Sequence, residues 1–200
     1  MLGKMLSIVL TGAALLSGSK NAALPEKDID GTIFLVNRQH VISEQYVPEP
    51  LRKTQVYGMS QSMREDAATA LEELFQAAQA DGIKLSSVSG YRSYSKQSLL
   101  YDRKTKRTGS ETEADKLVAR PGASEHQLGL AMDLATRNSS TLSEKFGSTP
   151  EGQWVYANCQ RFGFIVRYLK GYEDVTGYSF EPWHIRYVGP EHAEAIAASG

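Results

Sequence analysis

The chain has 200 residues, of which 41% are hydrophobic and 22% charged, and its formal net charge is -1. This is the composition of a globular unit long enough for a proper core, and near-neutrality without a long basic run excludes recruitment by nucleic acid, whose phosphates demand clustered Lys and Arg. The single cysteine, Cys159, excludes an intramolecular disulfide.

Residues 1–22 read as a signal peptide. Lys4 precedes the uncharged run Met5 to Leu16, and Ser17-Gly18-Ser19 and then, past Lys20, Asn21-Ala22-Ala23 follow; a run of that length falls short of the about twenty residues that span a bilayer. The expectation is export to an extracytoplasmic location without stable membrane insertion. A lipoprotein signal would place cysteine where Ser19 stands, so no lipid anchor is expected. Residues 23–31 form a polar linker around Pro25, and 32–200 make up one domain.

Within that domain, Thr32 to Asn37 reads as a first strand, and Tyr46 to Leu51 as an extended segment kept from a sheet centre by Pro48 and Pro50. Ser62 to Ala80 carries the clearest helical pattern: Ser62 and Glu65 match a capping box, and Ala67, Ala70, Leu71, Leu74, Phe75 and Ala78 recur at steps of three and four. Asp81-Gly82 ends it. Ile83 to Arg92 predicts a strand with a sharp turn at Gly90, and Tyr94 to Lys106 a helix. Ser110 and Glu113 offer another helix cap in a polar stretch, before the turn Arg120-Pro121-Gly122.

Residues 136–150 form a polar loop, Thr149-Pro150 opens a helix running to Arg161, and Phe162 to Tyr168 resumes as a strand. Cys159 shares helical spacing with Tyr156 and Phe162, which marks it as packed and not nucleophilic. Glu173 and Asp174 sit in a turn-rich, solvated connection. His184 begins a last strand through Val188, followed by a short helix, Glu191 to Ala198. His40 and His192 lie outside every motif.

The chemistry concentrates in residues 121–135, where His126 and Asp133 stand among small, neutral residues. Their separation of seven would send them to opposite faces of one regular strand. Gly129 resolves this by permitting a turn, so that His126 sits on a loop while Leu130 to Ala135 runs as a strand with the small Ala131 beside the carboxylate. A helix, two turns long, would also make them co-facial, though Gly129 at its centre disfavours it. A second cluster, Phe180-Glu181-Pro182-Trp183-His184, supplies a third metal ligand, His184, and a general base, Glu181. Two imidazoles and a carboxylate suit catalytic zinc with an open position. Glu181 and His184 are three apart, so a bend at Pro182 is needed to bring them together. Trp183 is expected to wall the pocket.

These residues carry a resemblance. Ser124-x-His126-x-x-Gly129-x-Ala131-x-Asp133, followed by Glu181-Pro182-Trp183-His184 and preceded by Ser89-Gly90-Tyr91-Arg92-Ser93, resembles the VanY-type zinc D-alanyl-D-alanine carboxypeptidases, a group that includes related L,D-carboxypeptidases and the hedgehog domain. The resemblance spans roughly residues 32 to 190. It implies an α+β fold of the hedgehog/DD-peptidase kind, a small and mainly antiparallel central sheet (strands near 85–91, 130–135, 163–168 and 183–188) flanked by helices. It also implies a monomer that binds Zn2+ through His126, Asp133 and His184 and acts on the peptidoglycan stem peptide or its precursor. By the same resemblance Arg92 stabilises the oxyanion or anchors substrate, Ser124 binds the terminal carboxylate and Gln97 contacts the substrate. Glu125 is expected to be a solvated or hydrogen-bonded outer residue. The rival readings are an L,D-carboxypeptidase or endopeptidase with the same metal set, and a zinc-containing binding domain without activity.

Overall fold

A computed structural model of the chain describes residues 31–199; the signal-peptide reading, the linker up to residue 30 and Gly200 lie outside them. The described residues form an α+β fold whose centre is a four-stranded antiparallel sheet. Its strands are β3 (Leu85–Ser89), β4 (Ala131–Thr136), β6 (Glu181–Tyr187) and β5 (Phe164–Tyr168), in the spatial order β3-β4-β6-β5. These are the four strands expected from sequence. A separate two-stranded ribbon pairs β1 (Leu51–Lys53) with β2 (Ser62–Arg64).

Helix α1 (Glu65–Ala80) buries Ala67, Ala70, Leu71, Leu74 and Ala78 of the stripe that its periodicity predicts; Ala68 is buried as well, and Phe75 is only half-buried. That stripe joins one core with Met132 and Leu134 of β4, Phe164 of β5 and Ile185 of β6. Alternation along β4 therefore sends Met132 and Leu134 into the core and turns Asp133 to the other face. Helices α2 (Tyr94–Thr108) and α3 (Glu111–Asp115) follow β3; Ser110 caps α3 by accepting from the Glu113 amide, as expected. Helix α4 (Pro150–Asn158) begins at a Thr149 cap and gives way to a 3-10 turn, Cys159–Phe162. The short α5 (Glu173–Thr176) and the final α6 (Pro190–Ser199) complete the order. Among the described residues no helix is long and apolar enough to cross a membrane.

Three local expectations are corrected. Residues 32–37 form no strand; the carbonyls of Thr32 and Phe34 instead accept from Arg186 Nη2 at 2.9 and 3.0 Å, which ties the segment to the back of the sheet without a partner strand. Ser62 does not cap α1. Its backbone is committed to pairing with Lys53 and to accepting from the Tyr91 amide, so the helix starts at Glu65, with Arg64 before it and no side-chain cap. The loop of residues 136–150 contains a 3-10 turn, Glu144–Ser148, which buries Phe146 in the core.

Candidate active site

The site lies on the sheet face opposite α1, where β4 and β6 run side by side. Asp133 and His184 are direct cross-strand partners, as are Ala131 and Arg186, so all four side chains share that face. The small Ala131 faces the bulk of Arg186. His126 arrives from a 3-10 turn, Glu125–Leu128, which Gly129 closes at φ +68°. A side chain tolerates that left-handed conformation poorly, and the turn has no slack: a Cβ on Gly129 would stand 3.2 Å from the Arg64 amide nitrogen and 3.0 Å from a Leu51 methyl. The glycine turn followed by a strand is thus the geometry by which residues seven apart converge, and the helical alternative does not occur.

Two further devices adjust the strands. β3 bulges at Val88, with Ser87 and Ser89 answering Leu134 and Asp133, which carries Gly90 and Arg92 to the His126 turn. The Gly90 carbonyl lies 2.8 Å from His126 Nδ1, and the Arg92 amide donates to the His126 carbonyl at 3.1 Å. On β6 the register slips as the spacing requires: the four steps from Glu181 to Ile185 answer only two on β5, from Val166 to Tyr168. The slip includes Pro182, where a bend is expected, and it brings Glu181 Oε2 to 4.0 Å from His184 Nδ1.

One donor atom from each of His126, Asp133 and His184 lies within 4.8 Å of the others. His126 Nε2 is 3.4 Å from Asp133 Oδ2, and His184 Nδ1 is 3.1 Å from Asp133 Oδ1. A carbonyl only accepts, so His126 donates from Nδ1 to Gly90 and keeps the Nε2 lone pair for the cluster. His184 donates from Nε2 to Glu125 Oε2 at 3.1 Å and points Nδ1 at Asp133. The two rings meet edge to face, their centres 4.9 Å apart.

Burial is the largest single influence on each group, but at the two ligands that share hydrogen bonds, His184 and Asp133, it does not prevail. It presses the His126 imidazole down to about 4, helped by the Arg92 charge and opposed by Asp133. It also works against a charge on His184, but hydrogen bonds to Asp133 and Glu125 outweigh it and raise that ring to about 9. Burial would raise the Asp133 carboxyl as well; the two imidazoles prevail and hold it well below the carboxylate range. The pocket that retains a proton between His184 and Asp133 is suited to a cation in its place. Glu181 is the exception: burial, reinforced by Asp133, lifts its carboxyl to about 7 against the pull of His184 and Arg92.

A cleft of about 380 Å³ opens onto this cluster, and Arg92, Ser124, Glu181 and Trp183 all line it. Arg92 is half-buried, and its buried Nε has no hydrogen-bond partner. Trp183 walls the cleft as expected. Gln97 does not line it: buried at 1% exposure, it donates from Nε2 to the Ala119 carbonyl at 2.7 Å, which supports the cleft from behind. Glu125 is the hydrogen-bonded outer residue of the two alternatives expected for it, and it is not solvated. It is buried at 2% exposure, with Arg167 Nε at 2.8 Å and Arg186 Nη1 at 3.0 Å. The available signal was Arg186 itself, a charge set within the apolar run from Ile185 to Val188.

The chain is similar to several known proteins. Residues 60–190 match the family model described as VanY, D-alanyl-D-alanine carboxypeptidase. A D-alanyl-D-alanine carboxypeptidase of Enterococcus faecalis (strain ATCC 700802 / V583) is 41% identical over 180 residues; the match covers 84% of this chain but only 63% of that protein's length. Among solved structures, the LdcB LD-carboxypeptidase superposes with a TM-score of 0.80 at 42% identity, covering 86% of this chain and 83% of the other. A variant of VanY, a vancomycin resistance D,D-pentapeptidase from a VanB-type cassette, in complex with Zn(II), does so with 0.72 at 37%, covering 84% and 93%. The converging histidines and aspartate, the carboxylate beside them and these matches lead to one conclusion: the chain belongs to the VanY D-alanyl-D-alanine carboxypeptidase family.

Proposed function

We propose that this protein is an exported, zinc-dependent D,D-carboxypeptidase that removes the C-terminal D-alanine of peptidoglycan stem peptides. The observation that carries the reading is the approach of Glu181, with its carboxyl raised to about 7, to a buried triad of two imidazoles and one carboxylate in a single cleft. Zinc held by His126 Nε2, His184 Nδ1 and an Asp133 oxygen would supply a Lewis acid that polarises a carbonyl and acidifies water. Among metals it is the one best matched to neutral imidazole with carboxylate in a hydrolase.

The chain's own groups account for the rest. Glu181, near neutrality in its proton affinity, takes a proton from the attacking water and returns it to the leaving amine. Arg92 offers a guanidinium whose Nε no protein group uses, fit to pair with a carbonyl oxygen as it becomes an oxyanion, or with a terminal carboxylate. Ser124, at 3% exposure on the cleft wall, adds a hydroxyl for that carboxylate. Capture of a free C-terminus explains trimming from the end. The apolar run at residues 5–16 supports export.

A second reading, L,D-carboxypeptidase, is favoured by the likeness to LdcB. Release of free D-alanine from pentapeptide and tetrapeptide stems, by metal-loaded and chelator-stripped protein, tests both. Metal-dependent release from the pentapeptide alone is expected. Release from the tetrapeptide selects the L,D reading, and release from neither removes carboxypeptidase action altogether.

A further inference from the structure

We propose that Glu125 is a positioning residue for the metal ligand His184, holding its ring so that Nδ1, and not Nε2, enters the metal site. The inference rests on the metal-site reading above and extends it to a residue outside the ligand set.

The two carboxylate oxygens of Glu125 do different work. Oε1 takes both arginines, Arg167 Nε at 2.8 Å and Arg186 Nη1 at 3.0 Å, while Oε2, among the described residues, takes the His184 Nε2 proton alone, at 3.1 Å. An ionised carboxylate in so buried a place is strongly unfavourable unless it is paired. The arginines meet that need at one oxygen and leave the other free for the imidazole. Arg186 is itself fixed, donating through Nη2 to the Thr32 and Phe34 carbonyls and through Nε to Tyr187. A carboxylate on the outer nitrogen of a metal-bound histidine sets its tautomer and ring orientation.

Sequence position adds a coupling. Glu125 and His126 share one 3-10 turn, so the turn that presents one ligand also grips the other, which arrives on β6. The ion pairs alone would serve stability; the bond from Oε2 to His184 gives the turn a hold on the metal site.

The test uses the full chain, metal-free and zinc-loaded. Long-range 15N NMR of the zinc-loaded wild type should show His184 bound through Nδ1 and protonated at Nε2; binding through Nε2 would overturn the proposal without any variant. Zinc affinity by competition with a chromogenic chelator should fall about 10- to 100-fold in Glu125→Ala, with partial rescue in Glu125→Gln, whose amide oxygen can still accept from Nε2. Arg167→Gln, which removes a partner of Oε1 only, should lower Tm and leave zinc affinity unchanged. If all three variants lose affinity in proportion to Tm, Glu125 is merely structural and the proposal fails. If wild type binds no zinc, the metal-site reading fails with it; if wild type binds zinc and both Glu125 variants bind it equally, only the positioning role is lost.

Discussion

Asp133 and His184 stand directly opposite each other on neighbouring antiparallel strands, and their side chains meet at 3.1 Å. The pairing of β4 with β6 therefore fixes two members of the triad to one another with backbone precision. The third, His126, is fixed by a glycine turn and a carbonyl. In a site built on sheet register in this way, mutations should affect chemistry, metal and fold separably.

Glu181 is not among the three converging donors, so Glu181→Gln should abolish most turnover while zinc content stays at wild-type level. The expected loss is about 10²–10⁴-fold, the range typical of a general base. Metal analysis alongside D-alanine release checks it; full activity in the variant would remove Glu181 from the mechanism.

The raised Glu181 carboxyl fixes the sign of two pH effects. As a base it acts only when ionised, so kcat/KM should fall with acidification, along a limb lying between the ordinary 4.5 and about 7, since a nearby bound cation draws the value down. In the metal-free chain a folded value above the unfolded one means stability that is fully present below 4.5 and lost as pH rises through about 7. Thermal melts from pH 4 to 8 should show that loss in wild type and a smaller one in Glu181→Gln.

Arg92 is half-buried, and its buried Nε has no protein partner. Arg92→Met should therefore lower kcat/KM by about 10²–10³-fold without lowering Tm, because removal of an incompletely paired buried charge offsets the lost packing. Steady-state kinetics and a melt on the same preparation decide this. A large fall in Tm with unchanged kcat/KM would make Arg92 structural.

Gly129→Ala tests the turn. Its φ of +68° and the 3.2 Å approach to the Arg64 amide nitrogen predict a cost of about 1–3 kcal/mol, together with weaker zinc binding as His126 shifts against Asp133. Denaturant unfolding and chelator competition measure the two effects.

Cys159 is 3% exposed, and burial pushes its thiol up to about 12 against modest help from backbone donors. Iodoacetamide at pH 8 should leave the native protein unmodified and label it fully in denaturant. Rapid native labelling would contradict the packed position.

Local pattern was enough to read α1 from the spacing of its alanines and leucines, the four sheet strands as short segments bounded by turns, and the need for a turn at Gly129 and a break near Pro182 from the parity of residue spacings. These follow from the 3.6 and 2 residue periods, which any short window of sequence contains. Tertiary structure decided the remainder. Ser62 carries a capping signal, but strand pairing claimed its backbone first. Gln97 reaches the Ala119 carbonyl and not the cleft. Thr32 to Asn37 has strand composition and finds no strand to pair with. Glu125 stayed open between a solvated and a hydrogen-bonded outer residue because its partners stand on β5 and β6, Arg167 lying 42 residues away. A buried charge is tolerable only where its counter-charges converge in space, and that convergence comes from sheet register, which no local window of sequence contains.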